Sequence, residues 1–317
     1  MSSCLRIALG VSVLLSALSV VCPVGQASDA MIYVSGYQSN NILRYDAVTG
    51  AFIGEFVHSG NGGLNGPEQM AFGPDGNLYV ASSYTASVKR YDGTTGAYLG
   101  DFASGHGMYL PRGIAFGPDG NLYVAGAHNS VKRYNGQTGA YIDEFATYAG
   151  FDRPQNPLFR GDGYMYISNP THFGTQSVVR FNAQTGAFDS VFASGGGLDG
   201  PQGFQFGPAD DLYLCSSNNS SVLRYNGQTG AFLSTFIPSG TGGLNGAEDL
   251  IFVPGGDLIV ASAANDKILR YDQTTGAFIG TFAAGGLLDL PSAMLYVPEP
   301  ATLLCAIVVG AGLVRRR

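Results

Sequence analysis

Short stretches in which apolar and polar residues alternate recur from residue 31 to residue 297, separated by turns rich in Gly, Asn and Asp. Alternation with a period of two predicts β-strands rather than helices. The stretches repeat six times as a unit of about 45 residues, a pattern typical of a β-propeller. One segment of the unit runs from an aromatic residue through Asp or Asn and Thr-Gly-Ala to a second aromatic residue. Its copies are residues 45–52, 91–98, 134–141, 181–188, 225–232 and 271–278.

Each copy divides into four predicted strands, which in the second copy cover residues 113–116, 122–124, 130–134 and 140–145. Two connections keep nearly one length throughout. A turn with Pro and Asp-Gly follows the first strand, and a turn with Asn or Asp before Thr-Gly follows the third. The other two connections vary. Four strands in six copies predict one all-β domain over residues 31–297, a six-bladed β-propeller of four-stranded blades.

The ends of the repeat array predict how the ring closes. The chain enters at a second strand, residues 31–34, with no first strand before it, and it ends with an extra first strand, residues 293–297. Pairing of these two strands would complete the first blade and remove free sheet edges.

The variable connections indicate which face of the propeller carries function. In a four-stranded up-and-down blade both lie at the same end, so one face is built of uniform turns and the other, the irregular face, of differing loops. Binding is expected on the irregular face. All four histidines fall in its loops: His58, His106, His128 and His172.

Six residues that open the first strands are predicted to surround the mouth of the central channel on this face. They differ between copies while their neighbours do not: Glu68, Arg112, Gln155, Gln202, Glu248 and Ser292. Glu68 and Glu248 would flank Ser292, and Asp249 adjoins Glu248. Such oxygens could hold Ca²⁺. Because the ring has only two carboxylates and an arginine, the preferred interpretation is a polar ring without metal or cofactor, with Ca²⁺ at Glu68 and Glu248 as the alternative.

Two further residue sets are interpreted as structural. An arginine precedes the aromatic residue of every third strand, and six equivalent copies cannot serve one site: Arg44, Arg90, Arg133, Arg180, Arg224 and Arg270. They are predicted to bind backbone or nearby Asp and Asn. Cys215, the one cysteine within the repeats, stands where other copies carry Ala or Ser, which favours a small buried residue over a nucleophile.

Charge excludes one class of partner. Residues 28–296 keep 12 of the 16 Lys and Arg residues and 22 of the 23 Asp and Glu residues, a formal net charge of −10. A surface this acidic repels phosphate backbones, so no nucleic-acid partner is expected.

The N-terminus has the pattern of a secretory signal peptide. Arg6 is followed by an apolar stretch over residues 7–21 and by small residues, which places cleavage after Ala27 and residues 1–27 in the leader. Cys22 raises the alternative of a lipoprotein, but Val21 before it is larger than a lipobox residue.

The C-terminal segment, residues 298–317, holds three ordered elements. Pro298-Glu299-Pro300 comes first, then a short apolar run, then Arg315-Arg316-Arg317. The run over residues 301–314 would form about 21 Å of helix, too short for a bilayer core of about 30 Å, so it suits a transient membrane anchor. The segment resembles the PEP-CTERM sorting signal, which implies an exosortase-like protease as partner and a location at the cell envelope, surface or exopolysaccharide matrix. An ordinary tail anchor is the alternative.

The repeats themselves carry Leu-Tyr-Val in the second strand and Pro-x-Gly-Ile before it, as in residues 111–114 and 122–124. This pattern resembles NHL-type repeats and streptogramin-lyase-like propellers. The predicted function is an exported, monomeric, non-enzymatic scaffold that binds polysaccharide or an envelope protein. The resemblance implies the alternative of a metal-dependent lyase or lactonase, using Glu68, Glu248 and either His128 or His172.

Overall fold

The computed structural model describes residues 30–127, 129–170, 175–207 and 209–298. The predicted leader, His128, His172 and the sorting segment after Pro298 lie outside these residues. Within them, no helix is long and apolar enough to cross a membrane. The strands form six four-stranded antiparallel sheets, which confirms the predicted six-bladed propeller.

The blades are numbered by their order around the ring. Blade 1 contains β1 (Met31–Gly36), β2 (Asn41–Asp46), β3 (Phe52–Val57) and β24 (Pro291–Val297). Blade 2 contains β4 (Pro67–Phe72), β5 (Leu78–Ser82), β6 (Ser87–Tyr91) and β7 (Tyr98–Ser104). Blade 3 contains β8 (Pro111–Phe116), β9 (Leu122–Gly126), β10 (Ser130–Tyr134) and β11 (Tyr141–Thr147).

The second half of the ring repeats this plan. Blade 4 contains β12 (Gln155–Phe159), β13 (Tyr164–Asn169), β14 (Ser177–Asn182) and β15 (Phe188–Ser194). Blade 5 contains β16 (Pro201–Phe206), β17 (Leu212–Ser216), β18 (Ser221–Tyr225) and β19 (Phe232–Ile237). Blade 6 contains β20 (Ala247–Val253), β21 (Asp257–Ser262), β22 (Lys267–Asp272) and β23 (Phe278–Ala284). Short 3₁₀ turns occupy Asn61–Gly63, Ser83–Thr85, Thr241–Gly243 and Ala263–Asn265.

Ring closure follows the predicted pairing. β24 pairs antiparallel with β1, with Met31 opposite Val297 and Ser35 opposite Ala293. The strand begins two residues earlier than predicted, at Pro291, and the register shifts between Ser35 and Gly36. The innermost strands β24, β4, β8, β12, β16 and β20 contact one another around the channel. Both ends of the repeat array therefore belong to one blade, and the ring is closed.

The Thr-Gly turns explain why one segment of the repeat is so uniform. In blade 1, Asp46 Oδ1 accepts hydrogen bonds from the backbone N–H of Val48 at 3.1 Å and of Thr49 at 2.7 Å. Gly50 follows with φ of 73°, and a Cβ there would collide with the carbonyl oxygen of Phe282 in blade 6. Glycine is required both by its backbone conformation and by the close approach of the neighbouring blade.

Aromatic rings join successive blades at a second fixed position. Tyr79 on β5 packs edge-on against Phe102 of its own blade at 4.7 Å and Phe116 of the next blade at 4.9 Å between ring centroids. Equivalent tyrosines occupy blades 1 to 5, and Ile259 takes the place in blade 6. Aromatic contacts add to the apolar area buried between blades, so the recurring Tyr and Phe positions hold the ring together.

The residue sets interpreted as structural have structural contacts. Arg133 binds Asp143 through Nε at 3.1 Å and Nη2 at 2.6 Å, and Arg180 binds Asp189 in the same way. Arg44 lies over the ring of Phe56, 5.3 Å from its centroid. The side chain of Cys215 is fully buried, and this burial raises the pKa of its thiol well above the ordinary value. A thiol held neutral in this way is a poor nucleophile.

Candidate functional site

The variable loops share one face of the ring. The backbone N–H of Gly60, between β3 and β4, donates to Asn40 O, between β1 and β2, at 2.9 Å. Ser83 after β5 similarly donates to Gly66 O before β4, at 3.0 Å. Loops within a blade and between blades therefore meet at the same end, as the up-and-down strand order requires.

The six residues expected at the channel mouth all lie where the innermost strands begin. The register shifts beside them in each blade, for example between Pro67 and Met70 in blade 2 and between Ala247 and Leu250 in blade 6. Such β-bulges re-aim side chains next to functional sites. Here they interrupt the regular alternation of side chains between the two faces of the sheet, at Glu68, Glu248 and the equivalent residues of the other blades.

One half of the ring is a chain of guanidinium and amide groups. Arg112 Nη1 donates to Gln155 Oε1 at 3.4 Å. Gln155 Nε2 donates in turn to Gln202 Oε1 and to the backbone oxygen of Pro201, the latter at 3.2 Å. These contacts join blades 3, 4 and 5 across the channel mouth.

The other half carries the carboxyl groups. Ser292 Oγ donates to Pro67 O at 2.8 Å and lies 3.2 Å from Ser35 Oγ, which donates to the backbone oxygen of Glu68 at 2.9 Å. Ser217 Oγ donates to Glu248 Oε1 at 2.9 Å. Serines therefore fix the backbone beside one glutamate and the carboxyl group of the other.

Enclosure by the channel wall dominates the electrostatics of these carboxyl groups. Desolvation raises the pKa of Glu68 to about 8 although Arg112 opposes the rise, and proximity to Glu248 adds to it. Desolvation also raises the pKa of Glu248 to about 7, against the hydrogen bond from Ser217 and the charge of Arg112. Both side chains keep part of their surface open to the channel. The raised pKa values therefore result from crowding by protein atoms rather than from complete exclusion of water.

Three polar residues accept hydrogen bonds at the free edges of the innermost strands, and the sequence had indicated Asp249 among them only as an acidic neighbour of Glu248. Asp249 Oδ2 accepts from the backbone N–H of Met294 in blade 1 at 2.7 Å. Gln69 Oε1 accepts from Ile114 N at 2.9 Å in the same way. Gln205, two residues further along its strand, accepts from Phe252 N at 3.0 Å and joins blades 5 and 6. The unpaired edge of an innermost strand thus finds partners on the preceding blade.

A sequence signal for these contacts exists. The residue after each channel-mouth residue is polar in three blades, as Gln69 and Asp249 are, and small in the other three, where it is glycine or alanine. At Gly203 a Cβ would collide with Asp249. The alternation of a polar residue with a small one at this position reflects contacts between blades and could have predicted them.

A polar cavity of about 330 Å³ opens beside the channel mouth on the irregular face. Its lining includes Arg112, Arg153, Gln176, Gln202, Asn218 and Glu248. Three of these are amides and two are guanidinium groups, so the wall offers hydrogen-bond donors and acceptors to a polar ligand. The structure thereby joins three of the predicted mouth residues, Arg112, Gln202 and Glu248, to loop residues that the sequence did not indicate.

Two tyrosines lie on another side of the channel mouth. Tyr37 Oη donates to Tyr84 Oη at 2.8 Å, and their rings are 5.7 Å apart between centroids. Burial raises the pKa of Tyr37, and the nearby Glu68 adds to the rise. Tyr84 is 59% exposed. A partly buried ring therefore supports an exposed ring next to the polar channel.

The opposite end of the channel differs in character. There the ends of the innermost strands form an open cavity of about 800 Å³ lined by apolar side chains, among them Met70, Phe72, Ile114, Phe116 and Leu295. The polar groups of the channel are therefore concentrated at the irregular face.

The described histidines lie at the outer rim and not at the channel. His58 Nδ1 pairs with Glu55 Oε2 on β3 at 2.8 Å, and its side chain is 78% exposed. The ring of His106 stacks on Tyr141 of β11, 4.0 Å away between centroids. Neither reaches Glu68 or Glu248, and the positions of His128 and His172 lie outside the described residues.

The carboxyl groups at the channel do not form a metal cage. In the described part of the chain, no three His, Cys, Asp or Glu side chains converge closely enough to hold a metal ion. Both oxygens of Asp249 already accept backbone hydrogen bonds, from Leu250 at 2.9 Å and Met294 at 2.7 Å. Ca²⁺ requires six to eight oxygen ligands, and Glu68 and Glu248 with an adjacent arginine do not fit this requirement.

Comparisons with known proteins agree with the fold. A family model described as strictosidine synthase-like, N-terminal, matches residues 55–83, which run from β3 to just past β5. No curated protein matches the chain by sequence. A chain of a nidogen–laminin complex is 14% identical with a TM-score of 0.67, and the match covers 84% of this chain and 98% of that one.

Two further solved structures show the same architecture. A catalytically inactive histidine-to-alanine variant of virginiamycin B lyase from Staphylococcus aureus, with quinupristin, is 14% identical with a TM-score of 0.59, covering 87% of this chain and 94% of the lyase. A protein of unknown function from Bacteroides caccae is 16% identical with a TM-score of 0.61, covering 85% and 99%. The fold is thus a six-bladed propeller of the NHL and streptogramin-lyase type, and identities this low show the fold alone.

Proposed function

We propose that this protein is an exported, non-enzymatic scaffold that binds a polysaccharide at the channel mouth of its irregular face. The observation that supports this most directly is the polar cavity beside Arg112 and Gln202, with the Tyr37–Tyr84 pair on another side of the same mouth. Amide groups suit sugar hydroxyls, and an exposed ring offers a flat apolar surface to the C–H face of a sugar. The cavity is at the small end of the range for ligand sites, about 300–1,000 Å³. It therefore suits a short stretch of a glycan chain.

The enzymatic alternative, a metal-dependent lyase or lactonase, has less support. It needs a general acid or base within hydrogen-bond reach of its substrate and a cation beside it. The described histidines lie at the rim, and the channel carboxyl groups do not fit a Ca²⁺ cage. A calcium titration tests this alternative. Calcium-dependent turnover of a lactone, lost when Glu68 and Glu248 are both replaced by Ala, would establish it in place of the scaffold.

The scaffold predicts saturable glycan binding that depends on the channel mouth. On a glycan array, the purified chain should retain at least one class of bacterial polysaccharide fragment, and Tyr84→Ala should weaken that binding about fivefold, since stacking contacts contribute on the order of 1 kcal/mol. Phe52→Ala is the matched control, because Phe52 is an equally exposed aromatic residue on the outer strand β3, where it is 52% exposed. Loss of binding in both variants, or binding in neither protein nor variants, argues against the proposal.

We also propose that the chain is exported through residues 1–27 and then handled by an exosortase-like protease that recognises Pro298-Glu299-Pro300 and Arg315-Arg316-Arg317. The apolar run between these elements would hold the protein at the membrane only transiently. Mass spectrometry of the surface or secreted form should show a mature N-terminus after Ala27 and loss of most of the apolar run. If the intact arginine cluster is instead recovered on a cytoplasmic protein, the export proposal is wrong.

A further inference from the structure

We propose that the channel-mouth cavity selects acidic polysaccharides, and that the guanidinium group of Arg112 binds a uronate carboxylate of the glycan. This inference rests on the proposed function, because it names the class of glycan that the same cavity would take.

Arginine side chains in the described part of the chain have two kinds of partner. One group forms ion pairs within 4.0 Å: Arg133, Arg153, Arg160, Arg180, Arg224 and Arg270. Arg44 and Arg90 lie over phenylalanine rings. Arg112 alone among these residues has neither a carboxylate within 4.0 Å nor a ring beneath it. Its hydrogen bond to Gln155 is long, 3.4 Å, and its Nε is buried without a partner, as are those of Arg44, Arg90 and Arg270.

Arg112 lies at the channel mouth, where a ligand can reach it. Its side chain lines the polar cavity together with Arg153, Gln176 and Gln202, so its charge is available to a ligand entering from the irregular face. Arg153 adds a second guanidinium group, which is 3.7 Å from Asp152. A half-buried charge without a carboxylate in direct contact is costly. An anionic ligand would supply the direct ion pair that Arg112 does not form within the protein.

The charged and titratable groups around Arg112 come from several elements. They are Glu68 on β4, Glu248 and Asp249 on β20, Tyr37 between β1 and β2, and Arg153 with Asp152 before β12. Asp199 lies behind the cavity wall, where its Oδ1 accepts hydrogen bonds from Asn218 and Gln176, and these bonds lower its pKa. Enclosure raises the pKa of Glu68 to about 8 and that of Glu248 to about 7, so near pH 7 these two carboxyl groups offset the charge of Arg112 only in part. A ligand carboxylate therefore competes best for Arg112 below about pH 7.

The chemistry of the wall favours a carboxylate on a sugar. A guanidinium group matches the planar carboxylate with two parallel hydrogen bonds. The amides of Gln176, Gln202 and Asn218 line the same cavity and suit hydroxyl groups. A uronate unit carries both kinds of group on one ring, whereas a neutral hexose lacks the first.

The test uses the purified full chain and isothermal titration with three probes: trigalacturonate, a neutral dextran oligosaccharide and dextran sulfate. We expect saturable binding of trigalacturonate, at least tenfold weaker binding of the neutral oligosaccharide, and no preference for the sulfated polymer. Arg112→Gln should reduce trigalacturonate affinity at least tenfold, and Arg112→Lys should restore part of it. Arg224→Gln is the matched control, because Arg224 pairs with Asp211 2.7 Å away and does not line the cavity.

The dependence on pH separates a specific site from general charge attraction. Trigalacturonate binding should weaken as the pH rises through about 7 to 8, because Glu68 and Glu248 ionise and then compete for Arg112. Replacing both by Gln should flatten this profile. Equal affinity for the neutral oligosaccharide with no effect of Arg112→Gln overturns the inference but leaves the scaffold proposal standing. Failure of a folded protein to bind any glycan overturns both, and a dominant response to dextran sulfate reduces the site to nonspecific anion binding, which also contradicts the inference.

Discussion

Deletion of residues 291–297 is expected to abolish cooperative folding of the propeller. These residues form β24, which pairs with β1 along its whole length and gives blade 1 its innermost strand. Without β24 the inner edge of β1 is open, the edge contact from Asp249 to Met294 is lost, and the contacts of β24 with β4 and β20 disappear. An open edge next to exposed apolar surface promotes aggregation. Thermal unfolding followed by circular dichroism, with size-exclusion chromatography, measures the result.

The matched control for this deletion is a chain that ends at Pro298. It lacks the sorting segment but keeps all of the described strands, so it should melt as cooperatively as the full chain. Loss of cooperativity in the control would show that the tail also contributes to folding, since the deletion of residues 291–297 leaves the tail in place. If a chain without β24 unfolds as sharply as the control, five complete blades and one incomplete blade are enough for cooperative folding, and the prediction is wrong.

The fold was predictable because each repeat marks its own strands and turns. The Thr-Gly turn at Gly50 combines a left-handed backbone with a close contact to Phe282, so glycine must recur wherever two blades meet. Closure could be predicted from the strand count alone. The prediction missed the start of β24 at Pro291, although the equivalent strands β4, β8 and β16 also begin at a proline. The register shift beside it recurs in every blade, but a bulge of this kind leaves no change in the apolar pattern that would reveal it.

The site was predictable only in its location. Residues that differ between equivalent positions, such as Glu68 and Arg112, indicated the channel mouth. Their pairing depends on the rotation of one blade relative to the next, which a single repeat does not encode. Arg112 thus reaches Gln155 but no carboxylate within 4.0 Å, and Asp249 binds the backbone of blade 1. The positions of the histidines could not be predicted from the repeat either. His106 lies at the rim because its ring stacks on Tyr141.

The propeller architecture by itself does not decide between binding and catalysis. Nidogen in complex with laminin and virginiamycin B lyase share it with this chain at 14% identity. The difference must lie in the side chains at the channel mouth. In this protein the mouth combines enclosed carboxyl groups with an arginine and amides. The enclosed carboxyl groups also have a consequence for stability that can be measured without knowing any ligand.

The free energy of unfolding is expected to fall as the pH rises from about 5 to about 9. Glu68 and Glu248 have ordinary pKa values of 4.5 in the unfolded chain and values of about 8 and about 7 in the folded one. Between these limits the folded state binds more protons than the unfolded state, so stability decreases with pH. The contribution is complete below about pH 4.5 and is lost by about pH 8. Allowing for water in the channel, we expect a loss on the order of 1–3 kcal/mol in total.

Urea unfolding at about pH 5, 7 and 9 measures this loss, and replacing both Glu68 and Glu248 by Gln should remove the larger part of it, while Asp249, whose pKa burial raises to about 7, keeps the remainder. The double variant should be more stable than the unmodified protein at pH 9 and similar to it at pH 5, since Gln resembles the protonated carboxyl group. Glu55→Gln is the matched control, because Glu55 lies at the outer rim and the hydrogen bond from His58 lowers its pKa. Its substitution should leave the decline between pH 5 and 9 in place. Parallel profiles for the unmodified protein and the double variant would show that the channel glutamates ionise as they do in water, and that the mouth is far better hydrated than its geometry indicates.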